Sequence, residues 1–188
     1  EARRAGVFGR PQEEMRVLVV GWGGREHALC GALHSDDPQT TLFAAPGNPG
    51  TASLGTNLPI LATDIDALTR AAREHRVDLV VVGPEAPLAA GLVDQLQGDG
   101  RPAFGPTRGA AQLEASKAFA KDVLAQAHVP TAPSRTFVAL APALDYIARH
   151  AEPLVVKASG LAAGKGAVVC ATRAEAAETA RAMLERGA

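Results

Sequence analysis

Short apolar runs recur along the first part of the chain, and each is followed by turn residues. They lie at residues 16–20 (RVLVV), 41–45 (TLFAA), 78–83 (DLVVVG) and 103–104 (AF). Because they show no polar alternation, they predict strands buried on both faces, as in a parallel sheet. Residues 58–61 (LPIL) predict a short strand at the edge of that sheet.

The segments between these runs have the apolar spacing of helices that pack on a sheet. Helices are predicted at residues 25–34, from Thr63 as the N-cap to about His75, and at residues 88–97. Thr63 with Asp66 three residues later resembles a capping box. The alternation predicts an α/β fold, with a Rossmann-like parallel sheet covered by helices, over residues 15–115.

The pattern changes after residue 107. Helices are predicted at residues 109–114 and 116–128, the second with Ser116 as N-cap, and Pro130 and Pro133 then interrupt the chain. A separate α+β module is predicted from a strand at 136–138, a helix at 142–151, a hairpin of residues 154–156 and 167–169, and a helix at 174–185. We therefore divide the chain into a disordered leader or tag (1–14), a first domain (15–115), a linking helix (116–129) and a small lobe (130–188).

Composition argues against several kinds of partner. The 188 residues carry a formal net charge of −1, which leaves no basic surface for nucleic acid. No apolar run is long enough to span a membrane, and residues 1–14 lack the apolar core of a signal peptide, so we expect a cytoplasmic protein. Cys30 and Cys170 lie far apart without a C-x-x-C motif, which favours reduced core thiols and leaves a single disulfide as the alternative.

Four turn-rich loops follow the predicted strands, at residues 21–24, 46–51, 84–87 and 105–107. In an open parallel sheet such loops share one edge, where ligands bind, so we predict a ligand site there and name the four segments the rim loops. The glycines of the first loop, followed by a helix, suit a phosphate group. Glu26 stands where the dinucleotide fingerprint requires a third glycine, which argues against a nicotinamide-dependent dehydrogenase.

Another glycine-rich loop lies in the predicted hairpin, at residues 157–166 (KASGLAAGKG). Its three glycines allow a ligand to approach closely, and Lys157 and Lys165 add positive charge, which suits a polyphosphate. It is not a Walker A loop, because the spacing is one residue short and Gly166 replaces the Ser or Thr of that motif. Taken alone, this loop fits an ordinary hairpin tip with exposed lysines equally well.

Six blocks of sequence resemble one enzyme family. In chain order they are residues 21–28 (GWGGREHA), 45–51 (APGNPGT), 82–88 (VGPEAPL), 105–107 (GPT), 113–119 (LEASKAF) and 157–166 (KASGLAAGKG). Together they resemble the glycinamide ribonucleotide synthetase family, also called phosphoribosylamine–glycine ligase, of the ATP-grasp superfamily. The resemblance implies that residues 15–115 are a pre-ATP-grasp domain, followed by the start of an ATP-grasp domain whose small lobe is incomplete at its C-terminus.

The resemblance also implies a reaction and its ligands. ATP phosphorylates the carboxylate of glycine, and the amine of 5-phosphoribosylamine attacks the glycyl phosphate to give glycinamide ribonucleotide, ADP and phosphate, in de novo purine synthesis. The implied ribotide-binding residues are Gly23, Gly24, Arg25, Glu26, His27, Asn48, Glu85 and Thr107. The implied ATP-binding residues are Lys117, Lys157, Ser159, Gly160, Leu161, Gly164, Lys165 and Gly166.

The resemblance implies Mg²⁺ or Mn²⁺ with the ATP, and it places the metal ligands and the glycine site in a later part of the family's sequence. We assign no catalytic residue and no metal ligand within this chain. We interpret it as the N-terminal part of a ligase that is monomeric at full length, and we expect this part alone to be inactive. The alternatives are another ATP-grasp carboxylate–amine ligase and a non-catalytic module that binds a nucleotide or sugar phosphate.

Two residues depart from the pattern of the family. Trp22 stands between the first two glycines, where we expect Asn or a small residue. Ser159 follows Lys-Ala where we expect Asp, which removes a carboxylate beside the glycine-rich loop.

Overall fold

A parallel sheet forms the centre of the first part of the chain. The computed structural model describes residues 14–162 and 166–185. The strands of this sheet are β1 (Arg16–Gly21), β2 (Thr41–Pro46), β3 (Thr56–Asn57), β4 (Leu79–Val82) and β5 (Ala103–Phe104). All neighbours are parallel, in the order β3-β2-β1-β4-β5, which confirms the predicted α/β fold.

Helices cover both faces of this sheet. They are α1 (Gly24–Asp36), α2 (Pro49–Ala52), α3 (Ile65–Glu74), α4 (Glu85–Ala90) and α5 (Leu92–Gly98). Val17 and Val19 of β1 belong to a buried cluster with Cys30 of α1, while Leu18 and Val20 alternate to the opposite face and are buried as well. Fully burying one such side chain stabilises the fold by about 1.5–3 kcal/mol.

The predicted edge strand at residues 58–61 is wrong. Strand β3 instead pairs Thr56 and Asn57 with β2, and the N–H of Leu58 donates to the carbonyl of Ala44 at 2.8 Å as pairing ends. Pro59 then supplies no N–H to continue the ladder.

The start of α3 differs from the prediction by one residue. Asp64, and not Thr63, is the N-cap, because its carboxylate accepts a hydrogen bond from the N–H of Ala67 at 3.0 Å.

The helix predicted at residues 88–97 is two helices. Helix α4 begins at Glu85, inside a segment predicted to be a loop, and α5 begins at Leu92. Gly91 separates them with φ +96°, a left-handed conformation that a helix does not contain. A Cβ at Gly91 would also lie 2.6 Å from the Arg108 guanidinium, the mobile end of an exposed side chain, so the backbone conformation is the main requirement for glycine here.

The chain divides into two compact units between Gly109 and Ala110, within α6 (Arg108–Ala115). The domain limits predicted from the sequence remain predictions. The other elements of the second unit are α7 (Lys117–Gln126), α8 (Leu140–Arg149), β6 (Leu154–Lys157), β7 (Ala167–Cys170) and α9 (Arg173–Glu185).

The predicted hairpin of the second unit is confirmed. Strands β6 and β7 pair antiparallel, with Leu154 opposite Cys170 and Lys157 opposite Ala167. Leu154 and Val156 face a small core formed by α8, α9 and β7, whereas Val155 and Lys157 are exposed on the other face.

The strand predicted at residues 136–138 is wrong. These residues pair with no strand in the described part of this unit, whose sheet consists of β6 and β7. Phe137 instead packs its ring against Tyr146 of α8, with centroids 5.3 Å apart, and Val138 is 95% exposed. The apolar run therefore serves a side-chain contact with a helix and not a β ladder.

Both cysteines are free and buried, as the reduced-thiol interpretation predicts. Cys30 lies in the core of the first unit, where burial, with a smaller contribution from the charge of Glu26, raises its pKa from 9.0 to about 11. A thiol with so high a pKa is a packing group and not a nucleophile.

Candidate functional site

The rim loops follow the carboxyl ends of β1, β2, β4 and β5, which lie along one edge of the sheet. From β1 the chain proceeds outward through β2 and β3 on one side and returns to form β4 and β5 on the other. The switch point of the sheet therefore lies between β1 and β4, the position where open α/β sheets bind ligands. The guanidinium of Arg25 donates to the carbonyl of Gly83 and so joins the start of α1, which follows β1, to the end of β4.

Glu26 forms the inner wall of the first rim loop. It is only 4% exposed, and its carboxylate accepts a hydrogen bond from the N–H of Gly23 at 2.6 Å, a capping interaction at the start of α1. A Cβ at Gly83 would lie 2.1 Å from this carboxylate, and a Cβ at Gly21 would lie 2.6 Å from Cγ of Glu26. The side chain therefore fits only because glycine surrounds it.

Asn48 connects the second rim loop to the first. Its Nδ2 donates to the carbonyls of Trp22 (2.9 Å) and Gly23 (3.2 Å), while its Oδ1 accepts from the N–H of Thr51 (3.0 Å). Both amide hydrogens are thus used within the protein, and Asn57 holds the Asn48 carbonyl in turn at 2.9 Å. Asn48 therefore fixes the second rim loop to the first. Its role as a ribotide ligand stays a prediction.

The start of α1 presents the exposed polar groups of the rim. Arg25 and His27 are exposed, and the His27 ring lies so close to Gly50 that a Cβ there would be 2.5 Å from it. The first N–H groups of a helix have no acceptor within the helix, and the helix dipole makes this end attractive to an anion. Glu85 and Thr107, both half-buried, follow the neighbouring strands β4 and β5.

In the second unit, the start of the glycine-rich loop is bound to the start of α7. The N–H of Lys117 donates to the carbonyl of Ser159 (2.9 Å), and the Lys117 ammonium donates to the carbonyl of Gly160 (3.0 Å). The hydroxyl of Ser159 accepts from the N–H of Ala118 (3.2 Å). Ser116 is the N-cap of α7 as predicted, accepting from the N–H of Phe119 at 3.2 Å.

The two ends of the glycine-rich loop meet at its base. The N–H of Ala158 donates to the carbonyl of Gly166 at 2.8 Å, and a Cβ at Gly166 would lie 2.5 Å from that of Ala162. Lys157 and Leu161 are exposed. Gly164 and Lys165, two of the predicted ATP-binding residues, lie outside the described residues.

Family sequence models match both units of the chain. The phosphoribosylglycinamide synthetase N domain matches residues 15–114, and the ATP-grasp (A) domain of the same enzyme matches residues 115–188. The chain belongs to the phosphoribosylglycinamide synthetase family. The resemblance seen in the six sequence blocks is thereby confirmed.

Relatives named phosphoribosylamine–glycine ligase share about half of their aligned residues with the chain. The phosphoribosylamine–glycine ligase of Vibrio cholerae serotype O1 is 49% identical over 172 residues, and that of Escherichia coli O157:H7 is 51% identical over the same length. Each alignment covers 90% of this chain and 40% of the relative. The chain thus spans about two fifths of the length of these phosphoribosylglycinamide synthetase relatives.

Solved structures agree with the family's fold. The phosphoribosylamine–glycine ligase of Thermotoga maritima superposes with a TM-score of 0.74 at 28% identity, covering 92% of this chain and 41% of that one. Carboxyaminoimidazole ribonucleotide synthase from Aspergillus clavatus, solved with ATP, gives 0.72 at 17% identity and covers 90% and 44%. The second likeness shows the fold alone.

The contacts of Lys121 were not predicted from the sequence. Its ammonium donates to the hydroxyl of Thr131 (2.7 Å) and the carbonyl of Ala132 (2.6 Å), and so holds the segment after α7 against that helix. A lysine on a helix surface gives no local signal of such a contact, since the acceptors lie beyond the helix.

The described part of the chain offers neither a metal cluster nor a membrane-spanning helix. In residues 14–162 and 166–185, no three His, Cys, Asp or Glu side chains are grouped closely enough to hold a metal ion. Within the same ranges, no helix has the length and apolar character needed to cross a bilayer.

Proposed function

We propose that this chain is the N-terminal part of an ATP-dependent ligase that joins glycine to 5-phosphoribosylamine. The product is glycinamide ribonucleotide, formed through a glycyl phosphate with release of ADP and phosphate, in purine biosynthesis. Family membership of both units and the names of relatives at about 50% identity support this reaction. A cytoplasmic location and a monomeric full-length enzyme belong to the same proposal.

The rim loops bind the ribotide in this proposal. The observation that carries it is the set of hydrogen bonds from Asn48 to Trp22 and Gly23 and from Arg25 to Gly83, which hold together the segments that follow β1, β2 and β4. The phosphate accepts hydrogen bonds from the N–H groups at the start of α1, where the helix dipole favours it. Arg25 and His27 flank the phosphate, and the carboxylate of Glu85 and the hydroxyl of Thr107 suit sugar hydroxyls.

The glycine-rich loop and the start of α7 bind ATP in this proposal. Phosphoryl transfer requires cations along the phosphates, and Lys117, Lys157 and Lys165 supply ammonium groups from three positions. Ser159, Gly160, Leu161, Gly164 and Gly166 offer backbone close to the phosphates. Mg²⁺ or Mn²⁺ accompanies the nucleotide, and we propose its ligands in a part of the family's sequence beyond this chain.

Calorimetric titration of the chain with glycinamide ribonucleotide tests the ribotide site. We expect saturable binding by the chain, and binding weakened at least about tenfold by His27→Ala if this side chain contributes about 1.4 kcal/mol. His34→Ala, in the last turn of the same helix, is the matched control and leaves the affinity unchanged. Absence of ribotide binding by a chain that melts cooperatively would refute the proposed site.

A parallel titration with Mg·ATP tests the second site separately. We expect Lys117→Ala to lower the affinity of the chain for Mg·ATP. Arg149→Ala, which removes an exposed cation of α8, leaves that affinity unchanged. Equal ATP affinity in the two variants would contradict the assignment of Lys117.

A further inference from the structure

The side chain of Trp22 is exposed on a fixed backbone. Trp22 is the single tryptophan of the chain and is 61% exposed. Its carbonyl accepts a hydrogen bond from Asn48 at 2.9 Å, and the N–H of the next residue, Gly23, is held by Glu26 at 2.6 Å. A large ring on such a rigid base loses little conformational freedom when a ligand covers it.

Trp22 is also the one large side chain of its loop. Gly21 precedes it with φ +130°, and Gly23 and Gly24 follow it. Glu26 fills the inner side, since a Cβ at Gly21 or Gly23 would lie 2.6 or 3.0 Å from its atoms. The loop thus carries one side chain, the indole of Trp22, which lies two residues before the first turn of α1, where N–H groups have no acceptor within the helix.

We infer that the indole of Trp22 is a specificity-determining contact that covers the ribose of a bound sugar phosphate. The inference rests on the proposed ribotide site and adds a residue to it. An indole has an apolar face that packs on the C–H face of a sugar, and its Nε1–H donates one hydrogen bond. A bare phosphate held by the N–H groups of α1 gains neither contact, so Trp22 favours ribose phosphates over inorganic phosphate.

The single tryptophan supplies the readout. Emission excited where tyrosine does not absorb reports Trp22 alone, because no other indole is present. We expect glycinamide ribonucleotide and ribose 5-phosphate to change this emission saturably, with the affinity that calorimetry measures. Inorganic phosphate, titrated at the same ionic strength, leaves the emission nearly unchanged.

Two variants distinguish the loss of the indole contact from a loss of folding. Trp22→Asn weakens the ribotide about tenfold, the effect of one lost contact of about 1.4 kcal/mol, and changes phosphate affinity less than about twofold. Trp22→Phe keeps an aromatic face and retains most of the ribotide affinity. Thermal melts of both variants check folding, and if Trp22→Asn does not fold, Trp22→Phe and the emission of the unaltered chain still decide the question.

The outcomes distinguish this inference from the function on which it rests. Ribotide binding by calorimetry, with unchanged emission and full affinity in the Trp22 variants, overturns the role of Trp22 and leaves the ribotide site standing. No ribotide binding by a cooperatively folded chain overturns both. Equal losses of ribotide and phosphate affinity in Trp22→Asn also overturn the inference, because they indicate damage to the loop and not a lost ribose contact.

Discussion

A charged side chain in a functional loop can serve the construction of the loop. Glu26 is in the first turn of α1 among the residues implied to bind the ribotide, yet its carboxylate caps the N–H of Gly23 and is enclosed by glycines from two loops. The side chain lies at the positive end of the α1 dipole, where an acidic residue stabilises a helix. The side chain that defines the shape of the loop is thus buried beneath it.

Gly83→Ala tests this construction. The added Cβ would lie 2.1 Å from the Glu26 carboxylate and would force it off the Gly23 N–H, so we expect a loss of about 1–3 kcal/mol in the free energy of unfolding. Gly31→Ala is the matched control, because a Cβ there meets nothing within 4 Å and a helical Gly→Ala change stabilises by about 0.5–1 kcal/mol. Urea unfolding measures both, and a Gly83→Ala variant as stable as the parent would contradict the enclosure of Glu26.

Because the pKa of Cys30 is raised in the folded protein, we expect the free energy of unfolding to fall as the pH rises above about 9. Its folded-state pKa is raised to about 11 from 9.0, so above pH 9.0 the unfolded chain loses a proton that the folded chain keeps. The free energy of unfolding therefore falls as pH rises through this window, by about 1.4 kcal/mol per pH unit at most. Cys30→Val lacks this group, and urea unfolding of both proteins at about pH 8 and about pH 10 isolates its contribution. A stability difference that does not change with pH would contradict a buried, protonated thiol.

At the scale of elements, hydrogen bonds hold the start of the glycine-rich loop against the start of α7. Three hydrogen bonds from Lys117 and Ala118 end on residues 159 and 160. Ser159 acts as a second acceptor at the N-terminus of α7, beside the N-cap Ser116. The departure from Asp at this position therefore changes the charge at a helix N-terminus, where an acidic group is favourable.

Ser159→Ala measures what this contact contributes. It removes the acceptor of the Ala118 N–H, and we expect that amide to exchange with solvent about fivefold faster, in proportion to a lost cap of about 1 kcal/mol. Ser159→Asp restores an acceptor and keeps the protection, while Ser134→Ala, in the exposed segment before α8, serves as control. Hydrogen exchange read by NMR decides the point, and unchanged protection of Ala118 in Ser159→Ala would refute it.

At the scale of the molecule, each unit carries one of the two proposed binding sites, and the chain spans about two fifths of the length of its curated relatives. The family resemblance places the metal ligands and the glycine site in a later part of the sequence. We therefore expect no glycine-dependent release of ADP from this chain with Mg·ATP and phosphoribosylamine, because phosphoryl transfer without its metal site is slower by orders of magnitude. The full-length Escherichia coli relative assayed in parallel is the positive control, and glycine-dependent turnover by the chain would contradict the expectation.

The sequence by itself determined the features that depend on neighbours along the chain. Apolar runs predicted β1, β2, β4 and β5, the capping residue Ser116 predicted the start of α7, and six motif blocks predicted the family. Because parallel strands end at one edge, the sequence also predicted where the rim loops gather. The roles of the individual ligand residues stay predictions.

Only the tertiary structure decided features that depend on distant partners. Arg25 donates to the carbonyl of Gly83, 58 residues later, and the amide of Asn48 donates to the carbonyl of Trp22, 26 residues earlier. Neither contact is signalled by the neighbouring sequence. The break of the predicted helix at Gly91 follows from the left-handed conformation of this residue. In the predicted strand at 136–138, Phe137 packs on the ring of Tyr146, Val138 is exposed, and the described residues offer no partner strand. The apolar pattern along a chain predicts which segments face a core, whereas the fold determines whether they do and which partners they contact.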